Sequence, residues 1–571
     1  MFITPADRIA DYQARGWWEG ISVDALFQQA AAADPRALAL VDPMNRAALD
    51  GRVPERLSWA DVRERVDRMA AALLDAGLVK DDVVAVQLPN IVDAVILFLA
   101  CARLGLILCP VVVQYREHEL AHIFEQTRPR AFVTLPAFHG HDHAAMAAHL
   151  LEKHPGARLL LLGDAPQGTD LRAAMAVVDP ARAQAYAAAH PPAGGEVLTI
   201  CWTSGTESRP KGVPRDHNHW VLNGRIVAEA GGMRDGDVLL NPFPLVNIGS
   251  IGGLVIPWLQ LRGRLVLHHP FDLPLFLRQI AEEAVTYTIA PPAVLAALLK
   301  TPALLDNTDL SRLRAIGSGS APLSPWLIEG WQERYGISIC NIFGSNEGMS
   351  LFSGPVDVPD AGDRARYFPR FGAADQDFPG IIHRVIRTRL VDLDTGADIT
   401  EPGHVGEMRI SGATTFGGYW RSPALNKAAF DDQGYFRTGD LFEIAGPGPL
   451  ARFYRFVGRC KEIIVRGGVN ISPAELDDLL AGLPCAQEAA TVGIPDPVLG
   501  ERIAVAVVPR DGMTPVLDDI TAWLKQADVA VFKRPERLVL LPRLPRNAMN
   551  KVQRDVLRSQ VLAAIAADET G

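Results

Sequence analysis

The sequence predicts an α/β protein: a large N-terminal domain whose parallel-containing sheets are covered by helices, followed by a small α+β C-terminal domain. Helix and strand signals alternate along most of the chain, which is typical of parallel sheets with helices on both faces. The chain has 571 residues, of which 48% are hydrophobic and 21% are charged. This length and balance indicate a globular enzyme with a large core and more than one domain.

The first well-marked helix begins at Ser58, where Asp61 completes the pattern of a capping box. Gly77 is expected to end this helix. A short buried strand follows at residues 82–88, and another helix follows Pro89. The residues that share the apolar face of the first helix are Val62, Val66, Met69, Leu73 and Leu74.

One apolar stretch, residues 91–113, is long enough to raise the question of a membrane span. It is interrupted by Asp93, Arg103, Gly105 and Pro110. Because a spanning helix needs about 20 predominantly apolar residues, a buried helix, a glycine stop and a core strand explain the stretch better. We therefore expect no transmembrane segment.

The last hundred or so residues have the pattern of a smaller unit. Ser472 is a predicted N-cap, Pro473 occupies the first helical position, and Glu475 is the capping-box acid. Two strands at 488–494 and 502–509 and a helix at 517–527 follow. The boundary is placed in the polar turn at 456–463, which divides the chain into domains 1–458 and 459–571.

Charge and cysteine usage exclude several classes of protein. The formal net charge is −10, whereas a nucleic-acid surface has a basic footprint, so nucleic-acid binding is not expected. The six cysteines form no C-x-x-C pair, which favours buried free thiols over a zinc site or a redox motif. Residues 1–18 lack the apolar core of a signal peptide, and a cytoplasmic location is expected.

A loop after the strand 197–202 has the composition of a phosphate-binding loop. Small and hydroxylated residues are followed by a lysine; they are Thr203, Ser204, Gly205, Thr206 and Lys211. Glycine lets backbone N–H groups face an anion, hydroxyls donate further hydrogen bonds, and lysine supplies charge. The expected ligand is a polyphosphate, although the spacing differs from G-x-x-x-x-G-K-[ST]. A Ser/Thr-rich turn is the alternative for this stretch taken alone.

Six motifs together resemble those of the adenylate-forming superfamily, which includes acyl-CoA synthetases, adenylation domains and luciferases. They occur in the family's order and cover nearly the whole chain. The six are TSGTESRPKGV (203–213), IGSGSAPL (316–323), NIFGSNEG (341–348), GYFRTGDL (434–441), GRCKEIIVRGGVNISPAEL (458–476) and LPRNAMNKVQR (544–554).

This resemblance implies an AMP-forming acid–CoA ligase. Such enzymes use ATP and Mg²⁺ to convert a small carboxylic acid into acyl-AMP, and they then transfer the acyl group to coenzyme A. The resemblance also implies that the small C-terminal domain is mobile. Two alternatives stay open: an enzyme that loads the thiol of a carrier protein, and a non-catalytic nucleotide-binding relative. Monomer and homodimer are both open.

The resemblance also implies roles for individual residues. Lys551, Glu347 and Thr203 are the expected catalytic residues, and Glu347 is also the magnesium ligand. Asp440 would accept hydrogen bonds from the ribose hydroxyls. Lys461 would be the hinge between the domains. The other expected nucleotide or coenzyme A contacts are Ser204, Gly205, Thr206, Lys211, Gly319, Ser320, Ala321, Pro322, Phe343, Gly344, Ser345, Asn346, Arg459 and Gly468. A structural salt bridge is the alternative for Arg459, and core packing is the alternative for Phe343.

The acid pocket is predicted from residues that are mainly small or apolar. They are Asn247, Ile248, Gly317, Ser345 and Met349. Because none carries a positive charge that could bind a second anionic group, the predicted substrate is an apolar monocarboxylate: aryl, alicyclic or medium-chain. Asn247 stands where many CoA ligases carry histidine, so any gating by that histidine does not carry over.

Six further positions depart from the usual pattern or raise another question. Glu207 and Ser208 lie in the phosphate loop, where we expect Glu207 to point away from ATP or to pair with Arg209 or Lys211. Asn550 replaces a glycine before Lys551 and can adopt left-handed geometry. Asn346 replaces a threonine and can still donate a hydrogen bond to phosphate. His217 and His219 could suggest a metal, but a capping or solvated role is expected.

Overall fold

The computed structural model describes residues 1–203, 210–319, 322–466, 469–527, 529–547 and 550–570. Up to residue 203, its helices and strands are α1 (Ala6–Ala14), α2 (Val23–Ala33), β1 (Leu38–Val41), α3 (Arg46–Asp50), β2 (Arg56–Ser58), α4 (Trp59–Asp75), β3 (Val83–Gln87), α5 (Val92–Leu104), β4 (Ile107–Pro110), α6 (Glu117–Thr127), β5 (Ala131–Thr134), β6 (Ala137–Phe138), β7 (His141–Asp142), α7 (His143–Leu151), β8 (Arg158–Leu161), β9 (Thr169–Asp170), α8 (Leu171–Val177), α9 (Ala181–Ala189) and β10 (Val197–Thr203).

The middle of the chain continues the alternation of helices and strands. Its elements are β11 (Lys211–Asp216), α10 (His217–Ala230), β12 (Val238–Asn241), a π-helix (Ile251–Val255), α11 (Ile256–Leu261), β13 (Arg264–Leu267), α12 (Leu273–Glu282), β14 (Tyr287–Ile289), α13 (Pro292–Lys300), a 3₁₀ turn (Pro302–Leu304), β15 (Ala315–Gly319), α14 (Pro325–Tyr335), β16 (Ser338–Ser345), β17 (Gly348–Ser353), α15 (Ala361–Arg366), β18 (Phe368–Pro369), α16 (Ile381–Val385), β19 (Ile386–Val391), β20 (Asp398–Ile399), β21 (Val405–Gly412), α17 (Pro423–Ala429), β22 (Phe436–Ile444), a 3₁₀ turn (Gly448–Arg452) and β23 (Phe453–Arg459).

The C-terminal part is a compact α+β unit. It contains β24 (Ile464–Arg466), β25 (Val469–Ile471), α18 (Pro473–Leu480), β26 (Ala486–Asp496), β27 (Gly500–Pro509), α19 (Leu517–Gln526), a 3₁₀ turn (Val531–Lys533), β28 (Arg537–Leu540) and α20 (Arg554–Thr570).

Two large sheets of the described residues are mostly parallel, as the sequence predicts. The first has the strand order β17-β16-β15-β14-β12-β13-β1-β2, and only its two edge strands pair antiparallel. The second has the order β11-β10-β4-β3-β5-β8-β9, with β11 antiparallel to β10. Buried residues of α4 and α5 pack in one cluster with residues of both sheets. Other helices cover the outer faces of these sheets, so both sheets are enclosed by helices.

Two further sheets follow along the described chain. The third, in the order β18-β23-β22-β21-β19-β20, is antiparallel throughout. The fourth belongs to the C-terminal unit and has the order β25-β24-β27-β26, with β28 parallel to β27. The predicted boundary after residue 458 falls one residue before the end of β23 at Arg459, and β24, a strand of the fourth sheet, begins at Ile464.

The apolar stretch that begins at residue 91 is part of the core. Every residue of α5 is buried, Gly105 caps the helix in the left-handed conformation, and β4 follows. This arrangement confirms the predicted helix, glycine stop and strand. Within the described chain, no helix combines the length and hydropathy that a membrane crossing would need.

Local capping predictions are confirmed with two corrections. Ser58 and Asp61 form the predicted capping box of α4, and Ser472 caps α18 by accepting a hydrogen bond from the Glu475 backbone N–H. The Glu475 side chain, however, pairs with Lys533 and does not close a capping box. His219 completes the capping box at the start of α10, as the capping interpretation expects, but both His217 and His219 are buried and not solvated.

All six cysteines are free, as expected. Cys101, Cys109, Cys201 and Cys340 are buried, whereas Cys460 and Cys485 are half-buried. Burial raises the pKa of the Cys201 thiol to about 11. The buried thiols are therefore neutral at physiological pH and act as small apolar side chains.

Candidate active site

The expected site residues lie at the ends of strands that belong to different sheets. β10 ends at Thr203 and β11 begins at Lys211, while β15 ends at Gly319 and β16 ends at Ser345. Gly319 pairs with Ile342 in the neighbouring strand. A Cβ at Gly319 would lie 2.1 Å from the Ile342 carbonyl oxygen. Only glycine therefore fits at this close approach of two strands.

The phosphate side of the site begins at the pair Thr203 and Lys211, which face each other across β10 and β11. The Thr203 hydroxyl accepts a long hydrogen bond of 3.4 Å from the Lys211 backbone N–H. The Lys211 ammonium lies 5.1 Å from the ring centre of Tyr419. The remaining loop residues of the sequence prediction lie outside the described residues; they are Ser204, Gly205, Thr206, Glu207, Ser208 and Arg209.

Glu347 is a buried carboxylate in the turn between β16 and β17. The Tyr419 hydroxyl donates a hydrogen bond of 3.0 Å to its Oε1 atom. Its backbone carbonyl accepts a hydrogen bond of 2.8 Å from the Phe416 N–H. These two bonds fix both the backbone and the side chain of Glu347.

The fully buried guanidinium of Arg215 interacts electrostatically with Glu347. It donates two hydrogen bonds to the Thr414 carbonyl, at 3.1 and 3.3 Å. Burial lowers its pKa to about 10, although the charges of Asp216 and Glu347 oppose that shift.

A divalent cation fits the donor set around Glu347. The described residues contain no cluster of three or more histidine, cysteine or acidic side chains that could hold a metal by themselves. Mg²⁺ in nucleotide enzymes is commonly held by one or two carboxylates together with substrate phosphates and water. A single buried carboxylate with one oxygen held by Tyr419 matches that mode of binding.

Asn346 connects the acid side of the site to the phosphate side. Its Oδ1 atom accepts a hydrogen bond of 3.0 Å from the Ile248 N–H, and its Nδ2 atom donates a long one of 3.4 Å to the Trp202 carbonyl. Asn247 Oδ1 accepts from the Ser250 N–H at 3.1 Å, which shapes the same loop. The sequence predicts that the Asn346 amide donates a hydrogen bond to phosphate. In the structure this amide bonds to protein groups on both sides, which the sequence did not predict.

The remaining acid-pocket residue with a described environment is Gly317. A Cβ there would lie 2.5 Å from the Tyr287 hydroxyl. This hydroxyl is buried and has no hydrogen-bond partner among the described residues. Gly317 is thus required for packing against Tyr287, a neighbour that the sequence does not reveal. The side chain of Met349 lies outside the described part of the chain.

The adenine side is only partly described. Phe343 is half-buried and packs edge-on against Phe442, with ring centres 5.0 Å apart. Core packing, the alternative interpretation of Phe343, is therefore present. Part of the Phe343 side chain remains exposed. Gly344, Ser345 and Pro322 are exposed. Ser320 and Ala321 lie outside the described residues.

The expected ribose residue, Asp440, forms an ion pair with Arg459. The two residues are neighbours across β22 and β23, and Arg459 Nε donates to Asp440 Oδ1 at 2.8 Å. Burial raises the pKa of Asp440, while Arg459 and Lys551 oppose that shift. The salt bridge that the sequence left open as an alternative for Arg459 is thus formed.

Lys551 lies within electrostatic reach of this ion pair, although 110 residues separate it from Asp440 in the sequence. Burial and the Arg459 charge lower its pKa, whereas Glu462 and Asp440 act in the opposite direction. Asp440 and, to a smaller extent, Glu462 and Glu347 raise the pKa of Arg459. Lys551, Asp440, Arg459 and Glu347 therefore lie in one continuous group of interacting charges.

The loop that carries Lys551 is held by its own backbone and by one asparagine. The Lys551 N–H donates to Asn547 Oδ1 at 2.9 Å, and the Asn547 N–H donates to the Lys551 carbonyl at 2.9 Å. Asn550 has a φ of 62°, so the prediction that it adopts left-handed geometry is confirmed. Lys461, the expected hinge, follows β23 in a turn, and Gly468 lies outside the described residues.

Sequence reasoning missed Tyr419 and Arg215 as parts of this site. Arg215 lies in the segment PRDH (214–217), and Tyr419 follows two glycines in the segment FGGYW (416–420). Neither spacing indicates a contact with Glu347, which is 72 residues from Tyr419 along the chain. Only the folded chain brings these residues together.

Comparison with known proteins agrees with the geometry. Residues 27–420 match the family model of AMP-binding enzymes, and residues 475–551 match that of the AMP-binding enzyme C-terminal domain. A 2-hydroxy-7-methoxy-5-methyl-1-naphthoate–CoA ligase of Streptomyces carzinostaticus is 31% identical over 97% of this chain and 96% of its own. A salicyl-AMP ligase / salicyl-S-ArCP synthetase of Mycobacterium tuberculosis is 29% identical over 98% and 94%. The crystal structure of ATP-bound MatB from Rhodopseudomonas palustris superposes with a TM-score of 0.78 at 27% identity, covering 95% of this chain and 99% of that one.

Proposed function

Because the chain belongs to the family of AMP-binding enzymes, in the acid–CoA ligase branch of the adenylate-forming superfamily, we propose that it activates an apolar monocarboxylic acid with ATP and transfers the acyl group to coenzyme A. In the first step the acid carboxylate attacks the α-phosphorus of ATP, and pyrophosphate leaves. In the second step the thiol of coenzyme A attacks the acyl-AMP, and AMP leaves as the thioester forms.

The observation that carries this proposal is the grouping of Lys551, Asp440, Arg459 and Glu347. The carboxylate and ATP are both anionic and repel each other. A lysine near the nucleotide side of the site lowers that repulsion and holds the two reactants close together. The ion pair of Asp440 with Arg459, at 2.8 Å, supports this assignment.

Four described residues are assigned to the nucleotide: Asp440, Thr203, Lys211 and Phe343. Asp440 has two acceptor oxygens, which suits the two hydroxyls of a ribose, and Arg459 already holds one of those oxygens. Thr203 and Lys211 supply a hydroxyl and a positive charge for the phosphates. Phe343 would place a ring face against the adenine.

Glu347 would hold Mg²⁺ together with the phosphates of ATP. A divalent cation in that position supplies Lewis-acid neutralisation of the charge that develops on the phosphates. The chain's own contribution is a carboxylate whose backbone and side chain are both fixed by hydrogen bonds.

We assign the acid to the residues that the sequence predicts for its pocket: Asn247, Ile248, Gly317, Ser345 and Met349. No lysine or arginine is among these residues, so the pocket suits aryl, alicyclic or medium-chain monocarboxylates. The two relatives described above are named for aromatic acids, which makes aryl acids the first to test. Lys461 would be the hinge about which the C-terminal unit turns between the two steps, and Gly468 would line the passage for the thiol.

Loading of a carrier-protein thiol is a second candidate for the acyl-transfer step. The observation that favours it is the 29% identity to the salicyl-AMP ligase / salicyl-S-ArCP synthetase over nearly the whole of both chains. A non-catalytic nucleotide-binding role is disfavoured, because Lys551, Glu347 and Asp440 are all present and lie in one site.

A panel of acids tests the proposal directly. Aryl, alicyclic, medium-chain, dicarboxylic and amino acids are each incubated with ATP and Mg²⁺, with and without coenzyme A, and pyrophosphate, AMP and thioester are measured. We expect pyrophosphate release with an apolar monocarboxylate, and thioester only when coenzyme A is present. Pyrophosphate release without any thioester on free coenzyme A would favour carrier-protein loading. Preference for a dicarboxylate or an amino acid would refute the pocket assignment.

A further inference from the structure

The Tyr419 side chain interacts with both Lys211 and the expected metal ligand Glu347. Its hydroxyl donates a hydrogen bond of 3.0 Å to Glu347 Oε1, and its ring lies 5.1 Å from the Lys211 ammonium. Among the described residues, Lys211 and Glu347 form no ion pair with each other. The tyrosine therefore links a cation and an anion that belong to different segments of the chain.

The position of Tyr419 is itself fixed by its neighbours. Its backbone N–H donates to Asn426 Oδ1 at 2.7 Å, and its carbonyl accepts from Asn426 Nδ2 at 3.2 Å. The ring packs against Phe416, with ring centres 4.9 Å apart. The preceding Gly418 has a φ of +133°, and a Cβ there would lie 2.8 Å from the Asn426 amide nitrogen. This glycine allows the asparagine to approach closely enough to hold Tyr419.

The short segment 416–420 also joins the two halves of the site through its backbone. The Phe416 N–H donates to the Glu347 carbonyl at 2.8 Å, and the Trp420 N–H donates to the Gly212 carbonyl at 2.8 Å. Gly212 is next to Lys211 in β11. One segment of five residues thus fixes the backbone beside Lys211 and the backbone of Glu347 at the same time.

The Tyr419 hydroxyl is the donor in its hydrogen bond with Glu347 Oε1. A protonated hydroxyl next to a carboxylate has one favourable arrangement, in which the hydroxyl donates and the carboxylate accepts. The direction of this hydrogen bond is therefore fixed.

We propose that Tyr419 is a positioning residue that holds Glu347 Oε1 so that the second carboxylate oxygen is presented to the divalent cation of the nucleotide. This inference rests on the proposed function, because it takes the cation to be the Mg²⁺ that accompanies ATP. Partners that hydrogen-bond to metal-binding carboxylates commonly contribute 10- to 100-fold to metal affinity. The role of Tyr419 would be of this kind, without contact to the reacting atoms.

The test is the substitution Tyr419→Phe, which removes the hydroxyl and keeps the ring beside Lys211. Binding of Mn²⁺ to the full-length protein is measured by electron paramagnetic resonance in the presence of α,β-methylene-ATP. We expect binding about 10-fold weaker than in the unsubstituted protein. The Mg²⁺ concentration for half-maximal pyrophosphate release should rise by about the same factor, while the KM for the acid stays within the error of the measurement.

Tyr454→Phe is the matched control. Tyr454 is also buried, and its hydroxyl lies 3.2 Å from the Thr388 hydroxyl in the third sheet, outside the site. This variant should leave Mn²⁺ binding unchanged. Comparison of the thermal unfolding midpoints of the two variants separates loss of the Glu347 contact from a general loss of a buried hydroxyl.

A double substitution tests whether Tyr419 acts through Glu347. If Tyr419 acts through Glu347, then Tyr419→Phe should weaken Mn²⁺ binding no further in a Glu347→Gln background. An additive effect in that background, or Mn²⁺ binding by Tyr419→Phe as tight as in the unsubstituted protein, would overturn the assignment. If the protein releases no pyrophosphate with any acid while Tyr419→Phe still weakens Mn²⁺ binding, the proposed function fails and the positioning role stands.

Discussion

At the scale of single residues, the site depends on charged groups that are held close together although burial disfavours their charged forms. Lys551 and Asp440 are both shifted towards their neutral forms by burial, and each is shifted back by the charge of the other. Such an arrangement is stable only while the partners stay together. A change at one member of the group should therefore affect the others.

Replacement of Lys551 by alanine tests the most important of these residues. Because the lysine charge is assigned to the adenylation step alone, Lys551→Ala should slow pyrophosphate release by about 100- to 1000-fold. Thioester formation from supplied acyl-AMP should be nearly unchanged. Single-turnover kinetics of the two half-reactions provide the measurement.

The matched control for Lys551 is Lys533→Ala. Lys533 forms its ion pair with Glu475 in the same C-terminal unit, at a position to which no role in the site is assigned. The substitution Lys533→Ala should affect neither half-reaction. Equal loss of both half-reactions in Lys551→Ala would contradict the assignment of this lysine to adenylation.

At the scale of secondary-structure elements, helix α10 anchors the phosphate side of the site. Asp216, the last residue of β11, caps this helix by accepting from the His219 N–H at 2.8 Å, and it also accepts from the Thr4 hydroxyl at 3.0 Å. Burial alone would raise the pKa of Asp216, but His219 and these hydrogen bonds outweigh it and lower the pKa. The cap therefore connects the N-terminal segment, β11 and α10.

Removal of this cap should destabilise the protein. Asp216→Ala deletes an N-cap and leaves buried donors without partners, so we expect a loss of about 2 to 4 kcal/mol in the free energy of unfolding. Differential scanning calorimetry provides the measurement. The comparison is Asp142→Ala, which removes an exposed N-cap that accepts from the Ala145 N–H on α7. If Asp216→Ala lowered the free energy of unfolding by no more than Asp142→Ala does, the prediction would be contradicted.

At the scale of the whole molecule, the contact between the C-terminal unit and the rest of the chain contains groups with shifted pKa values. Asp478 on α18 lies near Arg366 of the N-terminal part, but burial outweighs that charge and, with Asp477, raises its pKa to about 6. Lys300 on α13 lies near Arg510 and Glu488 of the C-terminal unit, and burial lowers its pKa. Both groups are held in surroundings that disfavour their charged forms.

The raised pKa of Asp478 predicts how stability depends on pH. An unfolded aspartate has a pKa of about 3.9, so between about pH 4 and pH 6 the folded chain binds more protons than the unfolded chain. The contribution of Asp478 to stability is therefore complete below about pH 4 and is lost as pH rises through 6. Asp478→Asn should raise the free energy of unfolding at pH 7.5 by about 1 to 3 kcal/mol and change it little at pH 4.

Calorimetric midpoints of the unsubstituted protein and of Asp478→Asn at the two pH values test this prediction. Asp518→Asn, a change at an exposed acid of α19, provides the comparison for the loss of one carboxylate. A midpoint for Asp478→Asn that is lower than that of the unsubstituted protein at pH 7.5 would contradict the prediction.

Much of the fold could be predicted because its signals are local. The capping box of Ser58 and Asp61, the left-handed stop at Gly105 and the left-handed Asn550 each depend on a few neighbouring residues. The side-chain pairing of Glu475 with Lys533 was not predicted, because the partner lies 58 residues further along the chain. Local patterns determine where elements begin and end, whereas side-chain partners depend on packing.

The candidate site divides in the same way. The sequence by itself determined the alternation of elements, the motifs and the residue types that suit a nucleotide, because these are properties of composition and spacing. Only the tertiary structure decided that Tyr419 holds Glu347, that Asn346 bridges Ile248 and Trp202, and that the charge of Lys551 interacts with those of Asp440 and Arg459. Side chains from distant segments meet at one place only after the sheets have packed, and the distances and directions that decide their chemistry do not exist before then.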